Sequence, residues 1–206
     1  MPAALGHRSV RQLAWAATGI VGVGLFPLTA WIHVLSGAPL WSEDGIPPQI
    51  ALAASFAAVG LLIVVKQPAN RVGELACLIG CSELTAEFAS AYASFGLVER
   101  ADPLFGAELA SWLSVFAWAP GFVALTVWLP LLFPDGRPLS PRWRLLVWSG
   151  WIPVLLVFAA GVVVWRYRGL PLVLGPSPED PVPRIGDVLW EGGQRAVEVL
   201  PWPALA

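Results

Sequence analysis

Five apolar runs, at residues 13–35, 49–65, 72–97, 109–132 and 145–165, are separated by short polar connections. This pattern leaves few options for folding. A helix rises 1.5 Å per residue, so about 20 residues cross the ~30 Å hydrocarbon core of a bilayer. Each run is of that order. Hydrophobic residues make up 57% of the chain and charged residues only 13%, against about 25% charged in an average soluble domain. Alternating ten-residue strands are absent, which argues against a transmembrane barrel. The expectation is an all-α integral membrane helical bundle of about five transmembrane helices, formed by residues 1–168.

The connections set the expected orientation. Between the fourth and fifth runs, Pro134-Asp135-Gly136-Arg137 has turn chemistry, and Pro138 and Pro141 forbid a continuing helix. Arg137, Arg142 and Arg144 follow within eight residues. A short loop rich in arginine between apolar spans reads as cytoplasmic. The turn Lys66-Gln67-Pro68-Ala69-Asn70-Arg71 reads the same way, and so does the amino-terminal segment with Arg8 and Arg11. The loop at 36–48 holds Glu43 and Asp44 with no Lys or Arg, and the loop at 98–108 has three acids beside Arg100. Both read as outside, although Arg166 and Arg168 after the fifth span run against the trend. The chain is therefore expected in the plasma membrane, multi-pass, with its amino terminus cytoplasmic. Many tryptophans (Trp15, Trp31, Trp112, Trp143, Trp165) fall near span ends, where amphipathic rings prefer the interface.

Residues 1–11 read as a short tail before the first span. That span is too long for a signal-peptide core of about 7–15 residues. Gly19, Gly22 and Gly24 offer close approach to a neighbouring helix, and Pro27 is a site for a kink. Pro120-Gly121 and Pro130 are expected to bend the fourth span. Residues 169–206 read as an extracytoplasmic Pro/Gly-rich segment. Apolar positions Ile185, Val188, Leu189, Ala196, Val199 and Leu200 recur there at helical spacing. They suggest a surface amphipathic helix, and Pro201-Trp202-Pro203-Ala204-Leu205-Ala206 after it reads as the entrance to a missing sixth span, and hence as a truncated chain.

The chemistry-bearing residues concentrate in the third run. Glu74 sits one turn from its cytoplasmic edge, near Arg71, and reads as an interfacial acid with a salt-bridge partner. Glu83 and Glu87 are four residues apart and share a helix face near mid-span. A charge at the bilayer centre costs about 2.5–3.5 kcal/mol. Such residues are expected to face the bundle interior, with at least one neutral or paired. Two readings stay open: a ligand- or proton-sensing site, or a helix-packing hydrogen bond to Ser55, Ser90, Ser111 or Ser114. Cys77 and Cys81 lack the further ligands a metal site needs and read as small packing residues. His33 reads as an interfacial hydrogen bonder, and Tyr92 as an outer-half packing residue. No GxxxxGK[ST], HExxH or serine-elbow motif occurs, and no basic aromatic-laced tract suggests nucleic acid. No catalytic residue, cofactor site or metal site is assigned.

Several of these stretches carry a resemblance. Phe133-Pro134-Asp135-Gly136-Arg137 with Ser140-Pro141-Arg142-Trp143-Arg144 is similar to a loop of multi-pass membrane sensor histidine kinases of high-GC Gram-positive bacteria, although Pro138-Leu139 stands where Leu-Pro is expected. Val65-Lys66-Gln67-Pro68-Ala69-Asn70-Arg71-Val72-Gly73 resembles that family's basic turn, with Glu74 in place of an aromatic. Ala86-Glu87, Tyr92-Ala93 and Gly96-Leu97 resemble its third helix. Ala110-Ser111-Trp112-Leu113 with Trp118 and Pro120 resembles its fourth. The likeness spans roughly residues 50–165.

The resemblance implies a membrane-embedded sensory region that precedes a phospho-accepting helix pair and an ATP-binding domain, neither of which is in this sequence. It implies a homodimer, a response regulator reached only through the missing kinase region, and no enzymatic activity in the chain itself. Two other classes remain open: a small multi-pass transporter or channel subunit, and a non-catalytic membrane scaffold.

Overall fold

The computed structural model describes residues 2–37, 48–97, 99–133, 140 and 142–168, with side chains assigned from residue 10 to residue 162 apart from Gln49. The expected loop residues Pro134, Asp135, Gly136 and Arg137 lie outside the described residues, as do the Pro/Gly-rich segment and the amphipathic helix near the carboxyl terminus.

Every regular element among the described residues is helical. They are α1 (Pro2–Leu35), α2 (Pro48–Lys66), α3 (Arg71–Leu97), α4 (Ala107–Phe116), α5 (Ala119–Val123), a π-helical turn (Ala124–Trp128), α6 (Leu129–Leu132), α7 (Trp143–Ser149) and α8 (Trp151–Arg168). Three helical stretches are long and apolar enough to cross a membrane: Val10–Leu35, Ala107–Leu132 and Trp143–Val162. That is compatible with a membrane protein. α2 is a shorter apolar helix, and α3 is the least apolar of the long ones.

The architecture is a bundle around α3. α1, α2, α4, α5, the π turn and α6 all pack against it, and α8 packs on α4 and α5. The distribution of apolar side chains explains this hub. α1 exposes Leu13, Ile20, Leu28 and Trp31, α2 exposes Leu52, Val59 and Leu62, and α8 exposes Ile152, Leu155 and Leu156. α3 has no exposed large hydrophobic residue among its own. A water-soluble bundle turns its apolar stripe inward; here the polar helix is enclosed and the apolar ones surround it.

Small residues let α3 sit so close to its neighbours. α2 and α3 form an antiparallel hairpin through the turn at residues 67–70. In that turn the Asn70 side chain accepts the Val72 N–H at 2.9 Å, and the Gln67 N–H reaches the Ile63 carbonyl at 2.6 Å. Along the hairpin, a Cβ on Gly60 would stand 2.5 Å from the Cys77 nitrogen, and one on Gly80 would stand 2.5 Å from the Ala53 carbonyl oxygen and against the Ala57 nitrogen. The two backbones therefore touch, as small-residue helix pairs do. α1 lies over their seam, with Gly19 against Leu61 and Cys77 and Gly22 against Ala57 and Cys81. Gly24 has nothing within 4 Å of the Cβ position, so only two of the three expected contact glycines make contact.

Three details extend the expectations. The amino-terminal tail is helical from Pro2, because proline is tolerated in a first turn and the alanines and leucine that follow propagate the helix. The fourth span is not a uniform α-helix: Ala117 and Trp118 keep helical dihedrals between α4 and α5, and the helix then widens to a π turn at 124–128. Pro130 accounts for the widening, since it cannot donate to the Thr126 carbonyl, and Pro120 likewise leaves the Phe116 carbonyl without its helical donor. The fifth span is divided at Gly150, which keeps helical dihedrals and its N–H bond to the Leu146 carbonyl at 3.3 Å. Pro153 leaves the Ser149 carbonyl without its helical donor there.

Candidate functional site: the central helix

α3 carries polar groups at three levels. At its amino-terminal end Glu74 forms an ion pair with Arg11 of α1, the guanidinium Nε donating at 2.6 Å. The partner is thus not Arg71, the near neighbour in sequence, which is exposed. Glu74 is largely enclosed and Arg11 is half exposed. One residue on, the Gln12 side chain donates to the Val64 carbonyl at 3.3 Å, where α2 runs out of helical donors. A single turn of α1 therefore engages both the end of α2 and the start of α3. Arg11→Ala is expected to lower stability by about 1 kcal/mol, and a double-mutant cycle with Glu74→Gln in detergent unfolding should give a coupling of that order. Additive single-mutant effects would refute the pairing.

At mid-helix, Glu83 and Glu87 are half-buried. At 3.6 residues per turn they lie about 40° apart around the helix. Gly80 and Leu84 mark the face toward α2, where they meet Ala53, Ala57 and Ile50. Ile79 and Ser82 mark the face toward the fourth span, where they meet Val123, Ala124 and Gly121. The two glutamates occupy the sector between these faces. Neither makes a hydrogen bond or ion pair among the described residues. Two of the serines expected as partners are otherwise engaged: the Ser55 hydroxyl donates to the Ala51 carbonyl at 2.8 Å, and the Ser114 hydroxyl to the Ser111 carbonyl at 2.8 Å.

At the carboxyl-terminal end, the Tyr92 hydroxyl donates to the Phe105 carbonyl at 2.8 Å. It thereby ties α3 to the connection before α4, a bond that a packing role did not anticipate. Gly106, with φ 76°, makes the left-handed turn that starts α4. Cys77 is fully buried under α1, and Cys81 lies beside Thr85 at 3.9 Å. His33 lies in the last turn of α1 and is partly buried. Arg142 precedes α7 and Arg144 lies within it, both exposed.

The structure thus brings Glu83 and Glu87 together in a half-buried sector, sets Glu74 apart on an interhelical ion pair, and leaves Arg142 and Arg144 on the surface. No protein-family model matches the chain, and comparisons with curated proteins and with solved structures find no match either.

Proposed function

We propose that this chain is the membrane-embedded input region of a two-component sensor histidine kinase. One observation supports the reading most: the polar helix α3 is enclosed by apolar helices and presents two half-buried acids that have no partner among the described residues. Unpaired ionisable groups inside a bilayer-spanning bundle are costly, and proteins that keep them commonly use them. The sequence likeness of residues 50–165 to such kinases points the same way.

In this proposal all five spans cross the plasma membrane, the amino terminus is cytoplasmic, and the chain acts as a homodimer. A stimulus that changes the state of Glu83 or Glu87 shifts α3 between two packings against α2 and the fourth span, and the shift is passed on as helix movement. The chain itself does no chemistry. In this reading, phosphoryl transfer and contact with a response regulator fall to a kinase region outside residues 1–206.

Two experiments test this. The reading frame downstream of the Ala206 codon should run into a phospho-accepting histidine helix and a nucleotide-binding domain; a stop codon there removes the kinase reading. In the full-length protein, Glu83→Gln and Glu87→Gln should each change signalling output across pH 5–8, whereas output indistinguishable from wild type in both variants removes the sensing role.

The segmented fourth span favours a second reading. Interrupted helices beside intramembrane acids are also how small transporters build their sites. Proton or solute flux through proteoliposomes, lost in the same two variants, would favour that reading over the first.

A further inference from the structure

The fourth span widens at its π turn, the fifth is divided at Gly150, and one side chain joins these two places. Trp128 ends the π-helical turn of the fourth span and is buried. Its indole N–H donates to the Val147 carbonyl at 2.9 Å. Val147 lies in the last turn of α7, just before the break at Gly150. The Trp128 ring packs on Trp151, the first residue of α8, with centroids 4.8 Å apart. Gly150 itself provides the space: a Cβ there would strike the Trp128 indole nitrogen and lie 3.1 Å from Cε2.

The geometry points to Trp128 as a latch that makes these two helix breaks move as one. Both breaks are soft for the same reason, because Pro130 and Pro153 each remove a backbone donor. A π turn holds one more residue than an α turn. Its conversion to α geometry would rotate the chain beyond it by about 100°. That rotation would carry the indole off the Val147 carbonyl and off Trp151. The slot over Gly150 therefore holds the π form, and the π form holds the slot. Val154, buried in the same cluster with Ile79 and Ala124, places α3 against this joint as well. A displacement of α3 then reaches the joint between α7 and α8 through this buried indole, beside the contacts that Trp112 and Phe116 make with Phe158 of α8. The latch is independent of the signalling proposal, because it concerns how two spans are mechanically joined whatever the stimulus.

Amide hydrogen exchange on the full chain in lipid nanodiscs tests it. Trp128→Phe keeps a ring and removes the donor. Exchange should rise roughly tenfold at residues 124–132 and at 147–153 together, the size expected for losing one hydrogen bond, with α2 and α3 unchanged. Gly150→Ala keeps the tryptophan but fills the slot, and should give the same paired rise. A rise at only one break, no rise, or a rise spread evenly through α2 and α3 overturns the latch. Should Trp128→Phe fail to fold, Pro130→Ala gives a third reading. Restoring the donor in the fourth span should alter exchange at 147–153 in the fifth, and an unaltered fifth span overturns the proposal.

Discussion

Gly80→Ala is expected to destabilise the bundle by about 1–3 kcal/mol, the range for forcing extra atoms into a packed interior. The new methyl would meet the Ala57 nitrogen and the Ala53 carbonyl oxygen, both backbone atoms of α2 that no side-chain rotation can clear. α2 must then move away from α3, which also loosens the Gly60–Cys77 approach on the same face. Gly24→Ala is the control with the opposite sign. Nothing lies within 4 Å of its Cβ position, and alanine in a helix interior is favoured over glycine by about 0.5–1 kcal/mol. Unfolding of purified protein in mixed micelles would separate the two. Equal effects from both substitutions would mean that the α2–α3 contact is not as close as described.

Glu83→Leu and Glu87→Leu carry the second large effect. If α3 crosses the bilayer, each replacement removes an acid that costs about 2.5–3.5 kcal/mol near mid-span, and neither removes a hydrogen bond or ion pair among the described residues. Membrane insertion of α3 in a glycosylation-mapping assay should become more favourable by an amount of that order in each variant. A loss of insertion or of folding in both would mean that the acids hold the bundle together, and the packing reading would displace the sensing one.

The helical character of the chain was legible in its long apolar runs, and the α2–α3 turn was legible in Pro68 and Asn70. What the sequence concealed was mostly relational. Gly19, Gly22 and Gly24 look alike in a string of letters, yet only the first two fall on the face that meets α2 and α3. Glu74 has an arginine three residues away, but its partner is Arg11, 63 positions back, because α1 folds over the hairpin. The break at Gly150 had a local signal in Pro153, four residues beyond Ser149. The slot that Gly150 provides for Trp128 had none, because it depends on two spans meeting. The two glutamates could be placed on one face by spacing alone. Their position between the α2 face and the fourth-span face needed the packing of Gly80 and Ser82.

The closeness of α2 to α3 bears on how such a protein would be made. If the bundle is inserted in a bilayer, as proposed, a helix with Glu74, Glu83 and Glu87 is a poor candidate to leave an insertion channel on its own, whereas the more apolar α2 would enter lipid more readily. The turn between them is short, and their backbones meet along Gly60 and Gly80. The pair is therefore suited to release as one prefolded hairpin, with α2 escorting α3 and α1 waiting alongside. Arg11 and Gln12 can engage only after that hairpin exists, so their contacts would mark the completion of the amino-terminal half during synthesis.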